Sequence, residues 1–229
     1  MTPSVKVFAL DFGGVVSRTL FKTHRRSEDM PGLAPGTLIW IGPFDPDGDL
    51  VWRSMQAGQD PERGYRHIRA RETRRLVGAA WNTVPQCLRR VRGGDPEAAI
   101  GPEALAAIGA ARAAGVKRAI LANEHDLSYG PELRTKLPFL AWFDLIVEAT
   151  CAGILNPDLN PDPRASAAVT EGLKVAPAEC VLVDDQKRTI DGAEAVGVKT
   201  VPFDVGKPAE RYRGALAMLK VEQPMEAET

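Results

Sequence analysis

Four short apolar runs bounded by polar or glycine residues, and a final strand-like run near the end, set the strongest limit on what this chain can fold into. They are VKVFAL before Asp11, KRAILA at 117–122, FDLIVEA at 143–149, CVLVDD at 180–185 and VKTVPF at 198–203. Runs of this length without polar alternation suit strands covered on both faces, as in a parallel sheet. Three alanine-rich segments with helical spacing stand between the later runs: EALAAIGAARAAG at 103–115, PRASAAVTEGLKV at 163–175 and TIDGAEAVG at 189–197. Gly115 and Gly197 follow the last periodic residue of two of them, where helices commonly end. Strand and helix in alternation predict an α/β fold with a doubly wound, Rossmann-like parallel sheet.

Residues 18–100 break this rhythm. They are rich in arginine, proline and glycine, hold Trp40, Trp52 and Trp81, and contain helix-like stretches such as PERGYRHIRARETRRLVG but no convincing buried strand. The expected organisation is a core domain of residues 1–17 and 101–229, with a helical insertion of 18–100 after the first strand. GPFDPDGDLVW at 42–52 reads as a turn cluster within the insertion. The arginines of 63–75 read as a solvated helix face opposite Tyr65, Ile68, Glu72 and Leu76. The last residues, EQPMEAET, read as a frayed tail.

With 29 basic and 30 acidic residues, the balance gives no reason to expect nucleic acid or a membrane surface as partner. No apolar run reaches spanning length, and Asp11 interrupts the one stretch that resembles a signal sequence. Cys87, Cys151 and Cys180 are too few and too scattered for a disulfide framework or a zinc cluster. These features together predict a cytoplasmic protein.

In an open parallel sheet, ligands bind beyond the carboxyl ends of the strands. Asp11 ends the first strand, Asn123 follows the second, and Asp184 and Asp185 end a later one. If those strands are neighbours, their carboxylates converge, and an oxygen-rich cluster of that kind suits Mg²⁺. A carboxylate there can also attack phosphorus or carbon and form a covalent intermediate. Gly13 and Gly14 allow the backbone to curl around a phosphate with N–H groups turned inward. Simpler roles stand beside these: a cap for Asp11, an N-cap and a helix-dipole acid for Asp184 and Asp185, and a turn residue for Asn123.

In these motifs the chain resembles the haloacid dehalogenase-like hydrolases over nearly its whole length. DFGGVV matches the family's first motif in its Asp-x-Gly-Gly form, and LANE, NPDPRAS and VLVDDQ stand at the second, third and fourth. The resemblance implies Asp11 as nucleophile and Asp11, the Gly13 carbonyl, Asp185 and Asp184 as the Mg²⁺ site. Gly13, Gly14, Ala122, Asn123 and Asn160 would meet a small, anionic substrate, and 18–100 would be the family's helical cap. Asn156 competes with Asn160 for the third position, because ILNPDLNPDPRAS contains two Asn-Pro-Asp units; the extra unit would bring Asp158 to the rim.

Several family groups are missing. Gly13 replaces the acid that protonates the leaving group in the phosphatase branches, Ala122 replaces a hydroxyl and asparagine replaces a lysine. Thr189 stands where an Asn or Asp often orients the metal. His24, Arg25 and Arg26 lie where family caps reach toward the substrate, His125 follows LANE, and Lys187 and Arg188 could supply the missing cation. Three functions fit: a Mg²⁺-dependent phosphatase working through an aspartyl-phosphate, a metal-independent 2-haloacid dehalogenase, and a catalytically impaired binding or regulatory protein, or one with a specialised reaction.

Overall fold

The computed structural model describes residues 4–18, 33–37, 42–45, 47–57, 59–60, 62–78, 100–122, 137–148 and 163–222. All five expected strands form: β1 (Val7–Leu10), β2 (Lys117–Ala122), β3 (Leu145–Glu148), β4 (Cys180–Asp184) and β5 (Lys199–Pro202). They make one parallel sheet in the order β3-β2-β1-β4-β5. The order runs outward from β1 in both directions, which is the doubly wound arrangement and places the topological switch point at β1.

Alternation within the strands sorts side chains onto two faces. Phe8, Leu10, Ile120, Val181 and Val183 join one core cluster with α3 (Pro102–Ala113) and α6 (Pro208–Met218). Val7, Ala9, Ala119, Leu121 and Leu182 join the other with α4 (Pro163–Leu173) and α5 (Lys187–Ala195). The four residues of β1 are at most 1% exposed, so this strand is enclosed on both faces and both edges. Burying a side chain the size of Phe8 or Leu10 contributes about 1.5–3 kcal/mol.

The helices return the chain to the sheet by a shared device. After α3, Gly115 N–H donates to Arg112 O and Val116 N–H to Ala111 O, with Gly115 at φ 71°; after α5, Gly197 and Val198 repeat the pattern on Glu194 and Ala193, with Gly197 at φ 85°. These are Schellman closures, and a residue in the left-handed region reverses the chain straight into the following strand. Helix α6 was not expected from the sequence. Its Tyr212, Ala215, Leu216 and Leu219 are buried at helical spacing against the core.

Between β1 and α3 lie α1 (Leu50–Gln56) and α2 (Glu62–Val77). The turn cluster therefore passes into helix at Leu50, where Asp49 serves as N-cap and accepts the Trp52 N–H at 2.9 Å. The arginine-rich face differs from expectation at one position. Arg69 is only 7% exposed: it ion-pairs with Asp49 and Glu72 and stacks over Tyr65 at 5.1 Å. The buried stripe of α2 is Tyr65, Arg69, Ala70 and Thr73, while Leu76 is exposed. A fully buried Asp49 needs a cation more than the segment needs another apolar contact, and that need rotates Arg69 inward.

Candidate active site

Asp11 sits one residue beyond β1. Its N–H donates to Val183 O at 2.9 Å, and Leu10 pairs in register with Val183, so the ends of β1 and β4 adjoin and Asp11 is next in line to Asp184. This is the adjacency that the carboxylate pattern required. Asp11 is 7% exposed and Asp184 3% exposed. Two buried acids at one sheet edge are costly unless positive charge or hydrogen-bond donors meet them.

Beyond Asp11 the chain folds into a compact loop tied by its own backbone. Val16 N–H donates to Asp11 O, Ser17 N–H to Phe12 O and Gly14 N–H to Ser17 O. Phe12, Val15 and Val16 turn into the core. Gly14 adopts φ 103°, a conformation that side-chain-bearing residues rarely take. The expectation that Gly14 would aim its N–H at a phosphate is corrected here, because that donor is committed to Ser17 O. At Gly13 an added Cβ would meet only Asp11 Oδ2, at 3.7 Å, so the position has room for a side chain.

Asp184 Oδ1 accepts the Gln186 N–H at 2.8 Å, a local turn that carries the chain from β4 into α5. Asp185 follows at the mouth of that turn and is half-buried. Thr189 lies in the first turn of α5, and its Oγ1 is buried without a hydrogen-bond partner. Ala122 ends β2, is 3% exposed and packs in the core cluster of the α3 and α6 face. Lys187 leans along its own helix to Asp191, 2.7 Å away, and is mostly exposed. Asn123, Asn156, Asp158, Asn160, His24, Arg25, Arg26 and His125 lie outside the described residues.

The donors that the strand ends gather are suited to a hard cation. Asp11 and the acidic pair offer only oxygens, and Thr189, in the first turn of the helix that follows the pair, keeps a buried hydroxyl oxygen without a partner. Among the described residues, no three His, Cys, Asp or Glu side chains form a metal-binding group. A cation here would take one or two carboxylates with backbone and water oxygens, the manner in which Mg²⁺ is usually held.

Two features of the surroundings were not read from the sequence. Met55 and Gln56, at the end of α1, face Gln186, Lys187 and Arg188 across a cleft of about 30 Å³, so the segment between β1 and α3 reaches the residues that follow the acidic pair. On the α3 and α6 face a cavity of about 270 Å³ is bordered by Gly14, Val15, Ser17, Glu103 and Tyr212. Tyr212 is 1% exposed and donates its hydroxyl to Val15 O at 2.7 Å. Burial, helped by the nearby charges of Glu103 and Asp11, holds its phenol well above the usual tyrosine range.

A model of the haloacid dehalogenase-like hydrolase family matches residues 5–197, from just before β1 to the turn after α5. The chain belongs to the haloacid dehalogenase-like hydrolases. Among curated relatives, Phosphatase MT3486 of Mycobacterium tuberculosis is 31% identical over 103 residues, 45% of this chain and 46% of that protein. Acyl-CoA dehydrogenase family member 10 of Mus musculus is 32% identical over 111 residues, 48% of this chain and 10% of that protein. The chain thus spans less than half the length of either relative. Two solved structures share its fold. A subfamily IA hydrolase of Geobacter sulfurreducens superposes with a TM-score of 0.56 at 18% identity, over 94% of this chain and 96% of that one. The L-2-haloacid dehalogenase of Xanthobacter autotrophicus does so with 0.53 at 18% identity, over 98% and 92%.

Proposed function

We propose that this hydrolase is a Mg²⁺-dependent phosphatase of small phosphorylated metabolites, with Asp11 as nucleophile. The observation that carries the reading is the seating of Asp11 at the end of a fully enclosed strand, one register step from the acidic pair of β4. An Asp11 oxygen attacks phosphorus, the leaving oxygen departs, and water later cleaves the aspartyl-phosphate to release phosphate and restore the carboxylate. Asp11 and Asp185, with the Gly13 carbonyl and with Asp184 behind them, would hold Mg²⁺, whose charge offsets that of the phosphoryl oxygens. The segment 18–100 serves as a cap, and its approach to Gln186–Arg188 supports a role in screening the reacting groups from water. The 31% identity to a protein named a phosphatase supports the choice of reaction.

Gly13 gives this phosphatase a signature. Without an acid there to protonate the departing oxygen, aryl esters with good leaving groups turn over, while alkyl phosphates lag. Incubation with Mg²⁺ and both classes of ester is the direct test, with Asp11→Asn as control. The wild type is expected to release phosphate and Asp11→Asn to lose at least about 10²-fold of that rate. Equal release by both proteins overturns the reading.

A second reading is favoured by the apolar burial of Ala122 and the engagement of Lys187 with Asp191, which leave the phosphate-charge apparatus thin. The protein would then bind a phosphorylated ligand without turning it over. Calorimetric binding of a phosphate ester with no release of phosphate would select it. Metal-independent chloride release from a 2-haloacid would select the dehalogenase reaction instead.

A further inference from the structure

We infer that α6 fixes the nucleophile loop from outside, with Tyr212 as its positioning residue. The loop from Asp11 to Ser17 closes most of its backbone bonds internally: the carbonyls of Asp11, Phe12 and Ser17 accept from Val16, Ser17 and Gly14. Bonds also reach it from other elements: at its start the Asp11 N–H donates to Val183 O on β4, and further along two more arrive. Gly101 N–H donates to Val16 O at the start of α3, and the Tyr212 hydroxyl donates to Val15 O across 197 residues of sequence.

Packing alone does not hold this side of the loop, because the cavity of about 270 Å³ borders Gly14, Val15 and Ser17. A wall beside open space can shift, and a single directional bond then decides where it rests. The tyrosine suits that task. Its ring is held against Phe203 with centroids 5.2 Å apart, immediately after β5, so the core sets the position of the hydroxyl. A nucleophile displaced by even an ångström loses much of its advantage, and the Val15 carbonyl is four residues from Asp11 in a loop with little slack.

The kinetic consequence rests on the phosphatase reading, whereas the anchor itself does not. Hydrogen exchange of the full chain, resolved at the Val16 and Ser17 amides, separates the two. Tyr212→Phe keeps the ring and removes the bond. It is expected to speed exchange at those amides by about tenfold, the size of one net hydrogen bond, with β1 and β4 amides unchanged. In the same protein kcat for 4-nitrophenyl phosphate with Mg²⁺ is expected to fall about tenfold at constant KM. Leu216→Ala thins the packing of the same helix and leaves the hydroxyl in place; it is expected to lower stability without singling out the loop. The inference is overturned by wild-type exchange in Tyr212→Phe, by the same loop-specific acceleration in Leu216→Ala, or by an unchanged kcat in an active enzyme. If wild type and Asp11→Asn are equally inactive, the phosphatase reading falls and exchange still decides the anchor.

Discussion

Position 13 is glycine although nothing steric demands it. A side chain would extend beside Asp11 with its nearest neighbour, Asp11 Oδ2, at ordinary contact distance, so Gly13→Asp restores a proton donor within the present backbone. The variant is expected to raise turnover of alkyl phosphates by at least about tenfold, toward the lower end of what general acids supply. Turnover of 4-nitrophenyl phosphate, whose leaving group needs no proton, should change little; steady-state rates on the two ester classes check the ratio. Single residues also show where sequence reading succeeds and where it stops. Asp11, Asp184 and Asp185 were legible because each ends an apolar run, and a strand end fixes both the address and the exposure of the side chain that follows. The bond between Tyr212 and Val15 was not, since no local pattern relates two positions so far apart. Nor was the commitment of the Gly14 N–H to Ser17, which depends on how the loop turns.

Elements were legible in proportion to how simply their surroundings could be inferred. All five strands appear where continuous apolar runs placed them, because burial on two faces leaves no polar position to confuse the pattern. Helix α6 was overlooked although PAERYRGALAMLK carries the spacing of Tyr212, Ala215, Leu216 and Leu219, with a proline in its first turn. Its polar residues dilute the periodicity, and only the sheet face it covers makes the stripe evident. Helix α2 misleads in the opposite sense, since arginine reads as solvated until a buried acid on another element claims it. Asp49 holds that junction together: it caps α1, accepts from the Gly42 N–H and Tyr65 hydroxyl and pairs with Arg69. Removing one member of a buried pair strands the other. Asp49→Ala is therefore expected to cost about 3 kcal/mol in urea unfolding, and the double variant Asp49→Leu with Arg69→Met to recover most of the loss.

At the scale of the molecule, β1 holds the centre of the sheet and Asp11 stands at its end, so a cation joining the edges of β1 and β4 would brace two of the most buried strands. Mg²⁺ that binds only the folded state at a hundredfold excess over Kd should add about 2.7 kcal/mol. Thermal unfolding with and without the metal is expected to show this gain in the wild type and its loss in Asp185→Asn. The placement of β1 also bears on how the protein comes to exist in the cell. Leu10 leaves the ribosome well before either of its neighbours in the sheet, Ile120 on β2 and Val183 on β4. Until both have been synthesised, an apolar strand waits with unpaired edges, a template for association with other chains. No shorter nascent chain can contain the Asp11 and Asp184 edge. Dependence on folding helpers should therefore be greatest over that interval.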